Sequence, residues 1–125
     1  MERVRGIGGV FFKAKDPAKV RAFYRDLLGV PIEDWGGARF GWREHDPRGD
    51  AATVWSPFSA DTTYFKPSEA PFMVNFRVDD LDAMLAQLRA AGAPVDERID
   101  ESEFGRFGWV MDPEGNRVEL WQPPK

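Results

Sequence analysis

The chain contains no cysteine and only one histidine, His45, in 125 residues. Without cysteine there are no disulfides, no thiolate metal site and no thiol nucleophile. Such a sequence suits a reducing interior, and the cytoplasm is the expected location. No apolar run approaches the ~18–20 residues a membrane span needs. The opening MERVRGIGGVFF lacks the sustained apolar stretch of a signal peptide, so neither a leader nor a membrane partner is expected. Positive charge is not in excess either. The formal net charge is −4, and no basic stripe is available to neutralise phosphates, which argues against nucleic acid. There is no GxSxG elbow and no P-loop, and GIGG precedes a strand instead of opening a helix, so it is no dinucleotide turn.

What is present is a globular composition, 42% hydrophobic and 30% charged. The length suits one domain over residues 1–125 and is too short for two ordinary ones. Inside that domain the sequence repeats itself. RFGWREHDPRGDAATVW (39–55) answers RFGWVMDPEGNRVELW (106–121), and VFFKAKDPAKVRAFYRDLLGVPIED (10–34) answers VNFRVDDLDAMLAQLRAAGAPVDE (74–97). Asp16 pairs with Asp80 at an offset of 64, Gly29 with Gly92 at 63, and Trp55 with Trp121 at 66. Self-similarity over nearly the whole chain means two copies of one supersecondary unit, 1–58 and 72–125.

Each copy opens with a short alternating strand, GVFFKA or MVNFRV. A helix follows in each. Asp16 is its N-cap and Pro17 fits its first position. Val20, Phe23, Tyr24, Leu27 and Leu28 then form one apolar face, and Gly29 ends the helix. Asp80, then Leu81, Met84, Leu85 and Leu88, then Gly92 repeat the scheme, and VDDLD reads as capping and not as an acid–base pair. Three strands should follow each helix, with DPRGD and DPEGN as tight turns. Each unit is therefore βαβββ. The expected class is α+β, two tandem βαβββ units forming a curled mixed sheet around a cavity. The stretch 56–71, rich in proline and serine, reads as a connecting loop.

Strand alternation assigns the faces. Val10, Phe12 and Ala14, with Val74, Phe76 and Val78, should pack under the helices. Gly9, Phe11 and Lys13, with Met73, Asn75 and Arg77, should face the concave side. In the last strand of each unit, Arg117, Glu119 and Trp121 should point inward, as should Ala51, Thr53 and Trp55. The candidate ligand-binding set is Phe11, Trp55, Met73, Asn75, Arg77, Trp109, Arg117 and Trp121, with Glu119 as the candidate catalytic residue. An aromatic concavity with a few converging polar groups is the form of a small-molecule pocket.

The phrases KDPAKVRAFYRDLLGV, NFRVDDLDAMLAQLRAAGAPV and DPEGNRVELWQP, taken with the duplication, resemble the vicinal oxygen chelate superfamily. That group contains glyoxalase I, bleomycin-resistance proteins and extradiol dioxygenases. The resemblance implies one divalent metal held from four inward positions, which fall here on Gly9, Thr53, Met73 and Glu119. Only Glu119 is a strong ligand for such an ion. Glycine offers no side chain, a threonine hydroxyl is poor, and a thioether prefers soft Cu(I). A catalytic zinc takes three protein ligands and an open position, so a divalent metal is disfavoured and no cofactor is expected. His45 lies in the REHDP turn, away from a ligand position, and reads as solvated. Glu101 and Glu103 are candidate mouth residues.

The leading expectation is a metal-independent protein that binds an aromatic or cationic small molecule by tryptophan stacking and Glu119. The alternative is a lyase, isomerase or dioxygenase anchored on Glu119, with Arg77 or Arg117 stabilising an enolate. A carboxylate between two arginines should have a lowered pKa, which counts against it as a base. A third possibility is a structural or regulatory dimer with a filled interior. The resemblance also implies a homodimer.

Overall fold

The computed structural model describes residues 1–42 and 52–124. His45, Ala51 and the DPRGD turn lie outside the described residues. The elements run β1 (Val4–Ala14), α1 (Pro17–Leu28), β2 (Ala38–Gly41), β3 (Ala52–Ser59), β4 (Phe72–Val78), α2 (Leu81–Ala90), β5 (Asp100–Ser102), β6 (Gly105–Met111) and β7 (Arg117–Gln122). They form one curled, mixed seven-stranded sheet in the order β2-β3-β1-β4-β7-β6-β5, an α+β fold.

Both helices start as their caps dictate. The Asp16 carboxylate accepts from the Lys19 amide at 3.1 Å, and that of Asp80 from the Ala83 amide at 3.0 Å. Gly29 takes the left-handed conformation at φ +70°, which its missing Cβ permits. In α2 the cap is Ala91, and the left-handed turn falls one residue later, on Gly92. The DPEGN turn is closed by the Asp112 carboxylate, which accepts from the Glu114 and Asn116 amides at 2.8 and 2.9 Å.

The second copy has the expected three strands after its helix, and the first falls one short among the described residues. Residues 30–37 form a tight turn instead, with the Gly36 amide donating to the Glu33 carbonyl. Pro31 removes a ladder donor at this point. The second copy keeps a short remnant, β5, plus an isolated bridge between Val95 and Val110.

β1 and β4 pair antiparallel and join the copies within one chain; β3 and β7 lie parallel on their outer sides. Under α2, the convex side buries Val78, Leu81, Met84, Leu85 and Leu120 as one cluster. Full burial of each such side chain stabilises by about 1.5–3 kcal/mol. The face predicted for α1 is not covered in this way. None of its residues is fully buried, and Phe23, Leu27 and Leu28 are 52%, 70% and 61% exposed. The helix leans on the sheet through Tyr24, whose ring lies 4.7 Å from that of Trp55.

That contact corrects the predicted direction of Trp55. β3 runs with Trp55 beside Val10 and Pro57 beside Phe12, so all four share the helix-covered face. Trp55 packs on Phe12 at 5.5 Å as well as on Tyr24. A one-residue change of register turns every side chain to the other face, and the rings of Tyr24 and Phe12 hold the register that buries Trp55 between them.

Candidate functional site

The concave side is built from β1, β4, β6 and β7, with one contribution that strand alternation could not supply. The loop after β3 folds back over the sheet. It seats Phe65, which is fully buried, against Met73 and Trp109, with Phe11, Phe58, Tyr64 and Phe107 packed around them. Gly8 makes the opposite wall possible. It is the unpaired residue of a bulge in β1, and a Cβ there would collide with the Asn75 side chain and meet Trp121 at 2.9 Å.

Parallel pairing of β4 with β7 sets Glu119 beside Asn75, and antiparallel pairing sets it opposite Trp109. Glu119 is 1% exposed. Its Oε1 accepts from Asn75 Nδ2 at 2.7 Å. Its Oε2 accepts from the Tyr64 hydroxyl at 2.6 Å and from the Trp109 indole N–H at 2.9 Å. Three neutral donors thus converge on one buried carboxyl. The Tyr64 bond has the short length of an O–H donating to an ionised oxygen.

Burial pushes the Glu119 carboxyl above its ordinary range, against the pull of Tyr64, Asn75, Trp109 and the charge of Arg117. This overturns the expected lowering, because desolvation outweighs the nearby arginine. Burial and the neighbouring Glu119 also drive the Tyr64 hydroxyl well above its usual value, so it stays protonated and donates.

Arg117 shares the face but does not pair with Glu119. Its Cζ lies 4.5 Å from the Trp109 ring centre, a cation–π contact, and one Nη donates to the Tyr64 carbonyl. The other lies 3.5 Å from Asp96 Oδ2. The guanidinium of Arg77 lies 5.8 Å from the Trp42 ring centre. Trp121 stacks with Phe107 at 6.4 Å and donates to the Phe104 carbonyl. Glu101 is held in an exposed ion pair with Arg106 at 2.9 Å, and Glu103 is exposed.

A cavity of about 230 Å³ opens at the rim of this face, lined by Pro67, Pro94, Val95, Asp96, Trp109, Val110, Met111 and Arg117. Of the predicted binding residues, Trp109 and Arg117 line it. Phe11, Met73, Asn75, Arg77, Glu119 and Trp121 do not, since the Tyr64–Phe65 loop covers the centre of the concave face. Tyr64 itself is the residue that sequence reasoning missed. The signal was an aromatic pair in the middle of a polar, proline-rich connection.

The donor set does not fit a divalent metal. Gly9 brings no ligand atom, and Met73 brings a thioether inside an apolar cluster. The Thr53 hydroxyl is already engaged, donating to the Ile7 carbonyl at 2.6 Å and accepting from Trp42 at 2.7 Å. Both Glu119 oxygens hold hydrogen-bond donors. No group of three or more His, Cys, Asp or Glu suited to a metal occurs among the described residues. In the first copy Trp42 gives its indole N–H to Thr53, and in the second Trp109 gives its own to Glu119. The ladders set Thr53 opposite Phe40 but Glu119 opposite Trp109, so the two bonds do not fall at the same place of the repeat.

A family model described as a glyoxalase-like domain matches residues 9–121. Among solved structures, methylmalonyl-CoA epimerase from Streptomyces coelicolor, a Q60A variant with 2-nitronate-propionyl-CoA, matches at TM-score 0.71 and 17% identity. That match covers 98% of this chain and all of the other. The Mycobacterium tuberculosis epimerase matches at TM-score 0.62 and 22% identity, over 98% and 90% of the two chains. The Mn(II)-bound glyoxalase from Novosphingobium aromaticivorans matches at TM-score 0.64 and 22% identity, over 98% of this chain and 40% of that one. At such identities these likenesses speak for the fold alone. A comparison with curated proteins gave no match. With the repeat, the sheet order and the matched span in agreement, the chain belongs to the glyoxalase-like family of the vicinal oxygen chelate superfamily.

Proposed function

We propose that this protein binds a small aromatic molecule without a catalytic metal, at the concave rim beside Trp109 and Arg117. The observation that carries the reading is the state of Glu119. Of the four positions that the family resemblance marks, the one suited to a hard metal, Glu119, is 1% exposed and hydrogen-bonded by Tyr64, Asn75 and Trp109. The loop covers that carboxylate, and the carboxylate that does line the rim, Asp96, has Arg117 beside it, which disfavours a cationic ligand. The rim cavity is open, mostly apolar and walled by an indole.

The enzyme alternative draws on the raised pKa of Glu119, since a carboxyl shifted toward neutrality suits general acid–base work. In that reading the Tyr64 loop must leave before substrate can reach Glu119. Two copies are proposed to pair through the exposed α1 face of Phe23, Leu27 and Leu28, continued by Trp35, which is 54% exposed. The location proposed is the cytoplasm.

The test is metal content of untagged protein, then calorimetric titration with Mn²⁺, Ni²⁺ and Zn²⁺, then an aromatic compound screen by tryptophan fluorescence. Saturable quenching by aromatic compounds with no tight metal supports the reading. A stoichiometric metal lost in Glu119→Gln, or turnover of dicarbonyl or catechol substrates lost in the same variant, moves the protein to the enzyme reading.

A further inference from the structure

The concave wall holds the Tyr64 side chain in the way a site holds a small phenol. Its ring stacks on Phe58 at 5.7 Å and 18°, meets the Trp109 ring edge-on at 6.3 Å, and lies 5.9 Å from the Arg117 guanidinium. Its hydroxyl ends on Glu119 Oε2, 2.6 Å away. Each of these partners stands on a strand: Phe58 on β3, Trp109 on β6, Arg117 and Glu119 on β7. Tyr64 alone comes from the connection between the two copies.

The phenol is not what anchors that connection. Phe65 is fully buried and Ser68 is 2% exposed, whereas Tyr64 is half-buried. The turn closes on itself. The Lys66 amide donates to the Thr63 carbonyl, the Ser68 amide to the Phe65 carbonyl and the Ala70 amide to Ser68 Oγ, each at 3.0 Å. Arg117 holds the Tyr64 carbonyl. None of these bonds uses the phenol, so a rotation about χ1 carries the ring outward while the backbone stays in place. That rotation opens a slot walled by Phe58, Trp109 and Arg117, with the Glu119 carboxyl at its end. Trp109 and Arg117 also line the rim cavity.

Resting on the ligand-binding reading above, we infer that Tyr64 is an internal stand-in for the ligand, and that the ligand is a phenol which displaces it from this slot. The class follows from what the displaced side chain leaves behind. With Tyr64 turned out, Glu119 Oε2 keeps only the Trp109 donor, and a buried acceptor short of a donor is costly. The incoming ring must therefore bring an O–H. An aryl ether brings none, and an aryl carboxylate sets a second negative charge against Glu119. Occupation by Tyr64 also tunes affinity, because only the fraction of molecules with the ring turned out can bind.

The chain has two tyrosines, Tyr24 and Tyr64, so the full chain labelled with ¹³C at the tyrosine ring ε carbons gives one resolvable signal for each. The probes are p-cresol, 4-methylanisole and 4-methylbenzoate, three rings of similar size. p-Cresol should saturably move the Tyr64 signal toward the position of a solvent-exposed tyrosine and shift the Trp109 indole N–H, with a dissociation constant on the order of 1 mM for so small a probe. The ether and the carboxylate should bind at least about tenfold more weakly. Tyr64→Ala, which removes the internal competitor, should tighten p-cresol binding about tenfold or more. If Tyr64→Ala does not fold, the Tyr64 signal and the probe ranking in the unaltered protein decide. A Tyr64 signal that stays in place while p-cresol saturates, 4-methylanisole matching p-cresol, or a Tyr64→Ala affinity no tighter than the parent's would overturn the inference. If p-cresol fails while other aromatic compounds quench tryptophan fluorescence, the phenol assignment falls and ligand binding stands. If nothing aromatic binds, both fall.

Discussion

Replacing Tyr64 with phenylalanine deletes one hydroxyl and keeps the ring that stacks on Phe58 at 5.7 Å. What disappears is the 2.6 Å bond to Glu119 Oε2, which leaves that oxygen to the Trp109 indole alone. A hydrogen bond to an ionised group is worth about 1.5–3 kcal/mol and one between neutral groups about 1 kcal/mol. The substitution should therefore cost about 2 kcal/mol where Glu119 is ionised and about 1 kcal/mol where it is protonated. Folding raises the Glu119 pKa above its ordinary 4.5. The folded state then holds the proton more tightly than the unfolded one. Stability from this group is complete below pH 4.5 and is lost as pH rises through the folded value. Without Tyr64 the ionised form loses a supporting donor, the folded value rises further, and the loss extends to higher pH. Urea unfolding of both proteins, followed by tryptophan fluorescence from about pH 4 to about pH 9, reads this directly. The two stability curves should lie closest at the acid end and separate as pH rises. A gap that stays constant or narrows with pH would refute the argument, because the hydroxyl would then not be supporting an ionised carboxylate.

Trp55→Ala should cost about 2 kcal/mol in urea unfolding, since a half-buried ring leaves Tyr24 and Phe12 without a partner. It should leave ligand affinity unchanged, and a loss of affinity with intact folding would return Trp55 to the concave side. Gly8→Ala should cost about 1–3 kcal/mol, as its Cβ enters space held by Asn75 and Trp121; a stability equal to the parent protein would show that the bulge leaves room. Leu27→Glu should convert a dimer to a monomer in sedimentation velocity with little change in secondary structure by circular dichroism. A dimer that survives the change would remove α1 from the proposed interface.

The duplication, both helix caps, the DPEGN turn and the concave placement of Glu119 were all legible, because each depends on local chemistry or on a two-residue alternation. Trp55 was not. Its direction depends on which residue of β3 stands beside Val10, and the repeat alignment gave no handle on that register. By the observed ladders, the residue standing to Phe11 as Glu119 stands to Asn75 is Ser56, three positions beyond Thr53. Tyr64 escaped for a different reason. A loop has no periodicity from which a face can be read, and only tertiary packing carries its hydroxyl to Glu119. The pKa direction was misjudged because charge neighbours are visible in a sequence while the depth of burial is not.

The ladder between β1 and β4 sets Val10 directly opposite Val74, and these are the same position of the repeat. A pseudo-twofold axis therefore passes through that pair, and the seam is a homodimer contact written into one chain. Such a contact is self-complementary, so its geometry does not depend on how the halves are linked. The connection between β3 and β4 has only to raise the effective concentration of one half around the other, and many backbone paths can do that. Freed from specifying the fold, this tether carries the aromatic pair that closes the concave face, and the internal symmetry ends at Tyr64.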